Sequence, residues 1–413
     1  MEKNQPVSVS EADTLLHALA SGFRRESLLL GEAAGRILAA PIIADAAYPS
    51  FDRVCMDGFA LNHGAVDGGQ RRFPVESFVP AGLAPEALRN PEACIEVMTG
   101  AVLPTGCDTV VPVEHVMREG EWVVLRDGVM APEGRHVHAT GRDYRAGDVL
   151  VPAGTVLTGP RLAAAAAVGC SHVTVARRPR LHLVLTGDEL VPVTATPRAA
   201  QIRMTHPYAF DGLLRPWATL TWSQAADQTA GLHTEITRGL TGADALLLTG
   251  GVSAGRLDLV PKVLADAGVH VLFHKITQKP GRPLWVGRTG DGRAVFAFPG
   301  NPVSALVCMR RYFLPWLWRG LGLTMPAPVR LPLSAPVHGQ KDKTVFMPVR
   351  RRGSPGGGWV LEPVELTGSG DFAGLTDSDG FIELPPDRAA SSPDARPLHK
   401  TGDPVAYYEW NQP

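Results

Sequence analysis

The chain has 413 residues, 45% hydrophobic and 20% charged, with 40 Lys and Arg against 41 Asp and Glu. Its length exceeds one ordinary domain, and its composition is that of a globular protein with several cores. A formal net charge of −1 excludes the basic excess of a nucleic-acid binder, so no nucleic-acid partner is expected.

In chain order, residues 1–11 lack the apolar core of a signal peptide, which points to a cytoplasmic protein. Ser10 reads as a helix cap, with Asp13 three residues on and Ala12, Leu15, Leu16 and Leu19 on one face. From about 41 to 150, short alternating runs such as W-V-V-L (122–125) lie between D-G, E-G and P-x-G turns, a small and mostly β unit. Pro160 then opens a helix, R-L-A-A-A-A-A-V, that Gly169 closes. The longest apolar run, 162–169, falls far short of the ~20 residues of a membrane span, so no membrane is expected as a partner. Cys55, Cys94, Cys107, Cys170 and Cys308 are scattered without a C-x-x-C pair, which speaks against a disulfide framework and a thiolate zinc site.

From 180 onward the period changes. Residues 181–185, 219–222, 245–248 and 269–274 read as strands, and 207–217, 229–240 and 258–267 as helices. Strands alternating with helices predict a doubly wound parallel sheet, whose ligands bind at the carboxyl ends of its strands. Another helix runs from Asn301 to near Trp318, and the proline-rich 326–337 marks a boundary. The remainder holds short strands between G-S-P-G-G-G and T-G-S-G-D turns and reads as a small β-barrel.

Residues 249–258, T-G-G-V-S-A-G-R-L-D, allow two chemistries. Gly251 to Gly255 match the G-x-S-x-G elbow, which would make Ser253 a hydrolase nucleophile. No H-G-G-G segment accompanies it, and the candidate bases His338 and His399 fall in the expected barrel. Alternatively the glycines cradle an anion and Asp258 holds a metal. The neighbours favour the cradle: K-I-T-Q-K-P-G-R-P (275–283) contributes Lys275, Lys279 and Arg282. F-P-G-N-P-V-S-A (298–305) sets Asn301 as N-cap and Pro302 at the first helical position, and a helix N-terminus binds anions. Asp188, Glu189, Asp227 and Asp258 follow successive strands and suit Mg²⁺ bridging phosphate oxygens. From the residues alone, Asp57 in C-M-D-G-F-A reads as a D-G turn. Asp143 in G-R-D-Y-R-A-G-D reads as the partner of Arg142 or Arg145.

F-D-R-V-C-M-D-G-F-A, M-T-G-A-V-L-P, G-x-D-x-x-x-G-D, T-G-D-E-L, T-G-G-V-S-x-G-x-x-D, K-P-G-R-P and F-P-G-N-P-V-S-A occur in that order. Together they resemble the MoeA-type molybdopterin molybdenumtransferases, the family of the gephyrin C-terminal domain, over nearly the whole chain. The resemblance implies Mg²⁺-dependent insertion of molybdate into the dithiolene of adenylylated molybdopterin, with release of AMP. It implies a multidomain α/β subunit in a homodimer, with an N-terminal helix at 7–26 packed on the sheet domain. A linking domain would comprise 27–45 and 146–178, an inserted β-rich domain 46–145, a MogA-like molybdopterin-binding sheet domain 179–327, and a C-terminal β-barrel 328–413. The site would lie between the sheet domain of one subunit and the β domain of the other.

Catalysis is then assigned to Asp57, Asp143, Glu189, Asp258, Lys275 and Lys279. Substrate contacts fall to Thr99, Gly250, Gly251, Ser253, Arg282, Pro299, Gly300, Asn301, Pro302, Ser304 and Ser369, and Mg²⁺ to Glu189, Asp227 and Asp258. Ser253 becomes a hydrogen-bond donor in an anion loop. A molybdopterin adenylyltransferase and molybdoenzymes or their chaperones are the implied partners.

The chain departs from the family pattern at several positions. Met204 and His206 stand where the family has Asp and Asn, Cys55 replaces a small residue, and Arg282 replaces lysine. Met347 and Pro348 follow Phe346 where a basic residue is expected, leaving Lys341, Lys343 or Arg350 to substitute. These departures keep a non-catalytic molybdopterin-binding or assembly protein as an alternative, along with a shift to tungstate or a modified pterin. The Ser253 hydrolase is the third reading.

Overall fold

A computed structural model describes residues 5–84, 86–252, 259–354, 356–386 and 398–412. The chain folds as two compact units, one of Pro41–Pro152 with Gly159–Ser171 and one of the remainder.

The smaller unit is built on a six-stranded sheet. Its order is Thr109–Pro112, Gly58–Leu61, Cys94–Val97, Arg72–Val79, Trp122–Leu125, Val116–Glu119. Gly58–Leu61 is buried along its whole length because the sheet is covered on both faces. Phe59 and Leu61 pack with Phe73, Val111 and Val123, while Ala60 packs with Val79, Ile95 and Val110. The Asp57-Gly58 pair is therefore a strand entry rather than the expected turn. A Cβ on Gly58 would lie 2.2 Å from the Val111 carbonyl oxygen, so the neighbouring strand dictates the glycine.

In the larger unit, helix α1 (Val9–Leu19) is capped by Ser8, not Ser10. Ser8 Oγ accepts from Glu11 N at 3.2 Å and Ser8 N donates to Glu11 Oε2 at 2.7 Å, a complete capping box. Asp13 thereby falls inside the helix, where both its oxygens accept from Arg311 at 2.7 and 2.9 Å.

The α/β elements follow as β1 (Arg180–Thr186), α2 (His206–Leu214), β2 (Thr219–Ala225), α3 (Thr229–Gly242), β3 (Ala245–Thr249), α4 (Val260–Asp266), β4 (His270–His274), β5 (Trp285–Arg288) and β6 (Ala294–Phe298). They are completed by α5 (Pro302–Cys308), which runs through a π turn, Met309–Phe313, into α6 (Leu314–Gly320). The sheet order is β2-β1-β3-β6-β5-β4. Strands β2, β1, β3 and β6 are mutually parallel, whereas β5 runs antiparallel to both its neighbours. The sheet is thus mixed at one edge, where a wholly parallel one was expected. Its strands alternate cleanly between two buried faces. Leu183, Leu185 and Leu247 pack with Phe210, Phe313 and Trp316, while Val184, Leu246 and Leu248 pack with Ile236, Val263 and Leu264.

The C-terminal sheet joins β7 (Val329–Pro332), β8 (Thr344–Gly353), β9 (Trp359–Pro363), β10 (Gly380–Leu384) and β11 (Pro404–Glu409), with β8 next to both β9 and β10. Leu333, just beyond β7, bridges Leu361 in β9, and Ser334 N donates to the Leu361 carbonyl at 2.9 Å. That bridge brings the two ends of the sheet together, a small curled barrel. Residues Gln278–Lys279 add a parallel strand to β8, which fixes the K-P-G-R-P loop against the C-terminal sheet.

Candidate functional site

Two glycine turns meet at the carboxyl ends of β3 and β6. Gly250 and Gly251 have φ of 89° and 64°, conformations that favour glycine. A Cβ on Gly250 would lie 2.5 Å from Thr186 Oγ1, and one on Gly251 would lie 2.8 Å from Val260 Cγ2. Gly250 N donates to the Phe298 carbonyl at 3.1 Å, and a Cβ on Gly300 would stand 3.6 Å from Gly250 Cα. The two loops are in van der Waals contact, backbone against backbone. Thr249, at the end of β3, is 1% exposed, and its Oγ1 has no hydrogen-bond partner among the described residues. Sequence reasoning passed over this threonine because it lies at the end of an apolar strand. His274 Nε2 donates to the Val252 carbonyl at 2.9 Å and so pins the entry to the next segment. Ser253 and Asp258 lie outside the described residues.

The acids after β1 and β2 are exposed and tied together. Asp188 N donates to Asp227 Oδ2 at 3.3 Å, and Asp227 N donates to Asp188 Oδ1 at 3.2 Å. The Glu189 carboxylate folds back over Gly187, where a Cβ would lie 2.6 Å from Glu189 Oε2. Among the described residues, no group of three or more His, Cys, Asp or Glu is placed to hold a metal ion.

Beside these turns opens a cleft of about 1090 Å³ between the K-P-G-R-P loop, the start of α5 and the C-terminal sheet. Lys279, Arg282, Pro299, Asn301, Ser304 and Ser369 line it together. Asn301 occupies the N-cap position, yet its side chain does not cap the helix. Its Nδ2 instead donates to Ser369 Oγ at 2.9 Å, and the Ser369 carbonyl accepts from Val303 N at 3.2 Å. Pro302 sits in the first turn, as its fixed φ favours. Lys275 begins the loop at φ 80°, a left-handed conformation that a lysine holds only under constraint. Its N donates to the Leu284 carbonyl at 3.0 Å and its carbonyl accepts from Val7 N at 3.1 Å.

Near Phe346 the cleft does hold a basic side chain. Lys343 lines the cleft beside Met347 and Pro348. Arg350 is engaged elsewhere, with Nε donating to the Asp377 carbonyl at 2.9 Å and NH2 3.1 Å from Asp377 Oδ1. Met204 and His206 are both buried. The His206 ring packs on Phe210 at 5.7 Å, and Phe210 packs on Phe298 at 5.2 Å, directly behind Pro299.

Asp57, Thr99 and Asp143 belong to the smaller unit. Asp57 Oδ1 accepts from Thr99 N at 2.7 Å and from Thr99 Oγ1 at 2.8 Å, which holds its carboxyl below the usual range. Asp143 pairs with neither Arg142 nor Arg145. Its Oδ1 lies 2.8 Å from His138 Nε2. Asp52, which the sequence did not single out, repeats the Asp57 arrangement by accepting from Thr140 N and Oγ1, each at 2.8 Å.

Comparison with known proteins matches three family models in succession. They are the MoeA N-terminal region (domain I and II) over residues 7–169, a probable molybdopterin binding domain over 183–319, and the MoeA C-terminal region (domain IV) over 330–410. A molybdopterin molybdenumtransferase of Synechocystis sp. is 33% identical, covering 98% of this chain and 100% of its own. One from Bacillus subtilis is 28% identical over 93% and 91%. A solved molybdopterin biosynthesis MoeA protein from Pyrococcus horikoshii is similar with a TM-score of 0.83 at 25% identity, covering 98% of this chain and 100% of that one.

Proposed function

This chain belongs to the MoeA family of molybdopterin molybdenumtransferases, enzymes of molybdenum cofactor biosynthesis, and we propose that it inserts molybdate into the dithiolene of adenylylated molybdopterin and releases AMP. The observation that carries this reading is the cleft. Lys279, Arg282 and Lys343 converge there with the first turn of α5 and Ser369. Both substrates are oxyanions, and fixed cations with oriented N–H donors stabilise such charge without reorganisation during reaction. Lys279 and Arg282 bind and orient phosphate or molybdate oxygens. The Gly251 and Gly300 amides supply further donors, while the Gly250 amide, bonded to the Phe298 carbonyl, ties the two turns together. Lys275 stands at the start of the same loop, Pro299 and Ser304 shape the wall, and Pro302 begins the helix beside them.

The exposed acids after β1 and β2 fit Mg²⁺. That ion takes one or two carboxylates together with substrate phosphates rather than a dedicated protein cage. Glu189 and Asp227 would hold it, with Asp258 as a further ligand, and the bound ion would neutralise charge as the phosphate bond breaks. Ser253 serves as a donor in the anion loop. In the homodimer we assign Asp57, Thr99 and Asp143 of one subunit to the cleft of the other. The Thr99 hydrogen bonds keep Asp57 ionised for that task.

Reconstitution of a cofactor-free molybdoenzyme tests the proposal. The wild-type chain with adenylylated molybdopterin, Mg²⁺ and molybdate is expected to restore activity, and Lys279→Ala to lower the rate by about a hundredfold or more. Equal restoration by both proteins would remove Lys279 from the site.

A further inference from the structure

The turn that carries Lys279 and Arg282 is held from beneath by buried groups that the proposed chemistry does not use. Gln278 is 1% exposed, and its Nε2 donates to the Pro280 carbonyl at 2.9 Å. Its Oε1 accepts a hydrogen bond from the Tyr312 hydroxyl, itself buried. Cys308 Sγ donates to the Gly281 carbonyl at 3.4 Å. Gly281 has φ 85°, and a Cβ there would lie 2.5 Å from Cys308 Sγ and 2.8 Å from Gln278 Nε2. Two successive carbonyls of the turn are thus each fixed by a side chain, and no space remains for a side chain at Gly281.

Cys308 and Tyr312 stand on the same continuous helix whose first turn forms the other wall of the cleft. Between them the helix enters its π turn. A π turn adds a residue to the local winding and rotates the side chains around it. Here five consecutive residues, Met309 to Phe313, are all buried, and the polar ones among them are satisfied. Arg311 pairs with Asp13 and Glu383, while Tyr312 reaches Gln278. Burial keeps the Tyr312 phenol protonated far above its ordinary range, so it remains a donor.

We propose that Gln278 and Tyr312 are positioning residues, whose buried hydrogen bond fixes the Lys279–Arg282 turn so that both cations face the cleft. The inference rests on the reading of that cleft as the oxyanion site. Stability alone does not call for a polar pair here, since two apolar groups of the same shape can be nearly neutral in place of a buried hydrogen bond. The polar pair adds direction, because Gln278 satisfies both its carbonyl and its amide in one conformation of the turn.

The test compares the full-length wild type, Tyr312→Phe, and the double variant Tyr312→Phe with Gln278→Met. The readouts are the thermal midpoint, and KM and kcat for AMP release from adenylylated molybdopterin. Tyr312→Phe strands the Gln278 carbonyl and is expected to lower the midpoint and raise KM. The double variant removes the Tyr312–Gln278 bond together with the Gln278 donor to the Pro280 carbonyl, and is expected to recover part of the midpoint while KM stays raised by roughly ten- to a hundredfold. Recovery of KM together with the midpoint would overturn the proposal and leave the pair a purely structural contact. If the double variant does not fold, Tyr312→Phe assayed well below its own midpoint decides, and an unchanged KM overturns the proposal. Absence of AMP release by the wild type would contradict the reading of the cleft itself, a result distinct from either of these.

Discussion

His206 opens α2 with 7% exposure and no hydrogen-bond partner for Nε2 among the described residues, and burial pushes its pKa down to about 4. In the unfolded chain the ring titrates near 6.5. Between those values the unfolded state binds more protons than the folded one, so folding stability falls as pH is lowered through that window. The full loss, reached near pH 4, is on the order of 3 kcal/mol. His206→Phe keeps the packing on Phe210 and removes the titration. Its thermal midpoint is therefore expected to vary less between pH 6.5 and 4 than that of wild type, and an unchanged profile would place the titration elsewhere. At this scale the sequence was most legible where residue type alone states the chemistry, as in the cations and glycines of K-P-G-R-P and the helix start at F-P-G-N-P. It was least legible where a partner is set by folding. Asp57 finds Thr99 42 positions away through the register of two strands, and Asp143 finds His138 rather than an adjacent arginine.

Among the elements, the start of α1 shows how a local pattern misleads by two residues. Both Ser8 and Ser10 are serines ahead of an apolar face, but Glu11 three residues after Ser8 closes the reciprocal box. Ser8→Ala is expected to cost about 1 kcal/mol, and Ser10→Ala only a few tenths, in denaturant or thermal unfolding. The reverse ranking would contradict the cap. The long helices and the buried strands β1 and β3 announced themselves by periodicity and by apolar runs covered on both faces. Strand β5 did not. Its W-V-G-R is short, and it pairs antiparallel inside an otherwise parallel sheet because β4 and β6 flank it. The π turn was equally hidden, since Arg310, Arg311 and Tyr312 meet their partners on α1, β10, β11 and the strand Gln278–Lys279, all distant in sequence.

At the level of the whole molecule, the order of motifs carried the family, and the fold class followed from it. The division into two compact units is not written locally. Residues 172–176 pair antiparallel with 25–29, so the chain leaves the larger unit and returns to it. No helix of the described residues is long and apolar enough to cross a membrane. The homodimer proposal makes a sharp prediction, because it places Asp57 and Lys279 of different subunits in one site. Asp57→Ala and Lys279→Ala are each expected to be inactive, and subunit exchange between them to restore about a quarter of the wild-type rate through mixed dimers with one intact site. No restoration, despite demonstrated exchange, would put both residues in the same subunit's site. The chemistry itself is tested most directly by AMP release from adenylylated molybdopterin with Mg²⁺, in the presence and absence of molybdate, for wild type beside Glu189→Gln. Molybdate-dependent release that falls by about a hundredfold or more in the variant is the predicted result. Tight binding of adenylylated molybdopterin by the wild type with no release of AMP would contradict it.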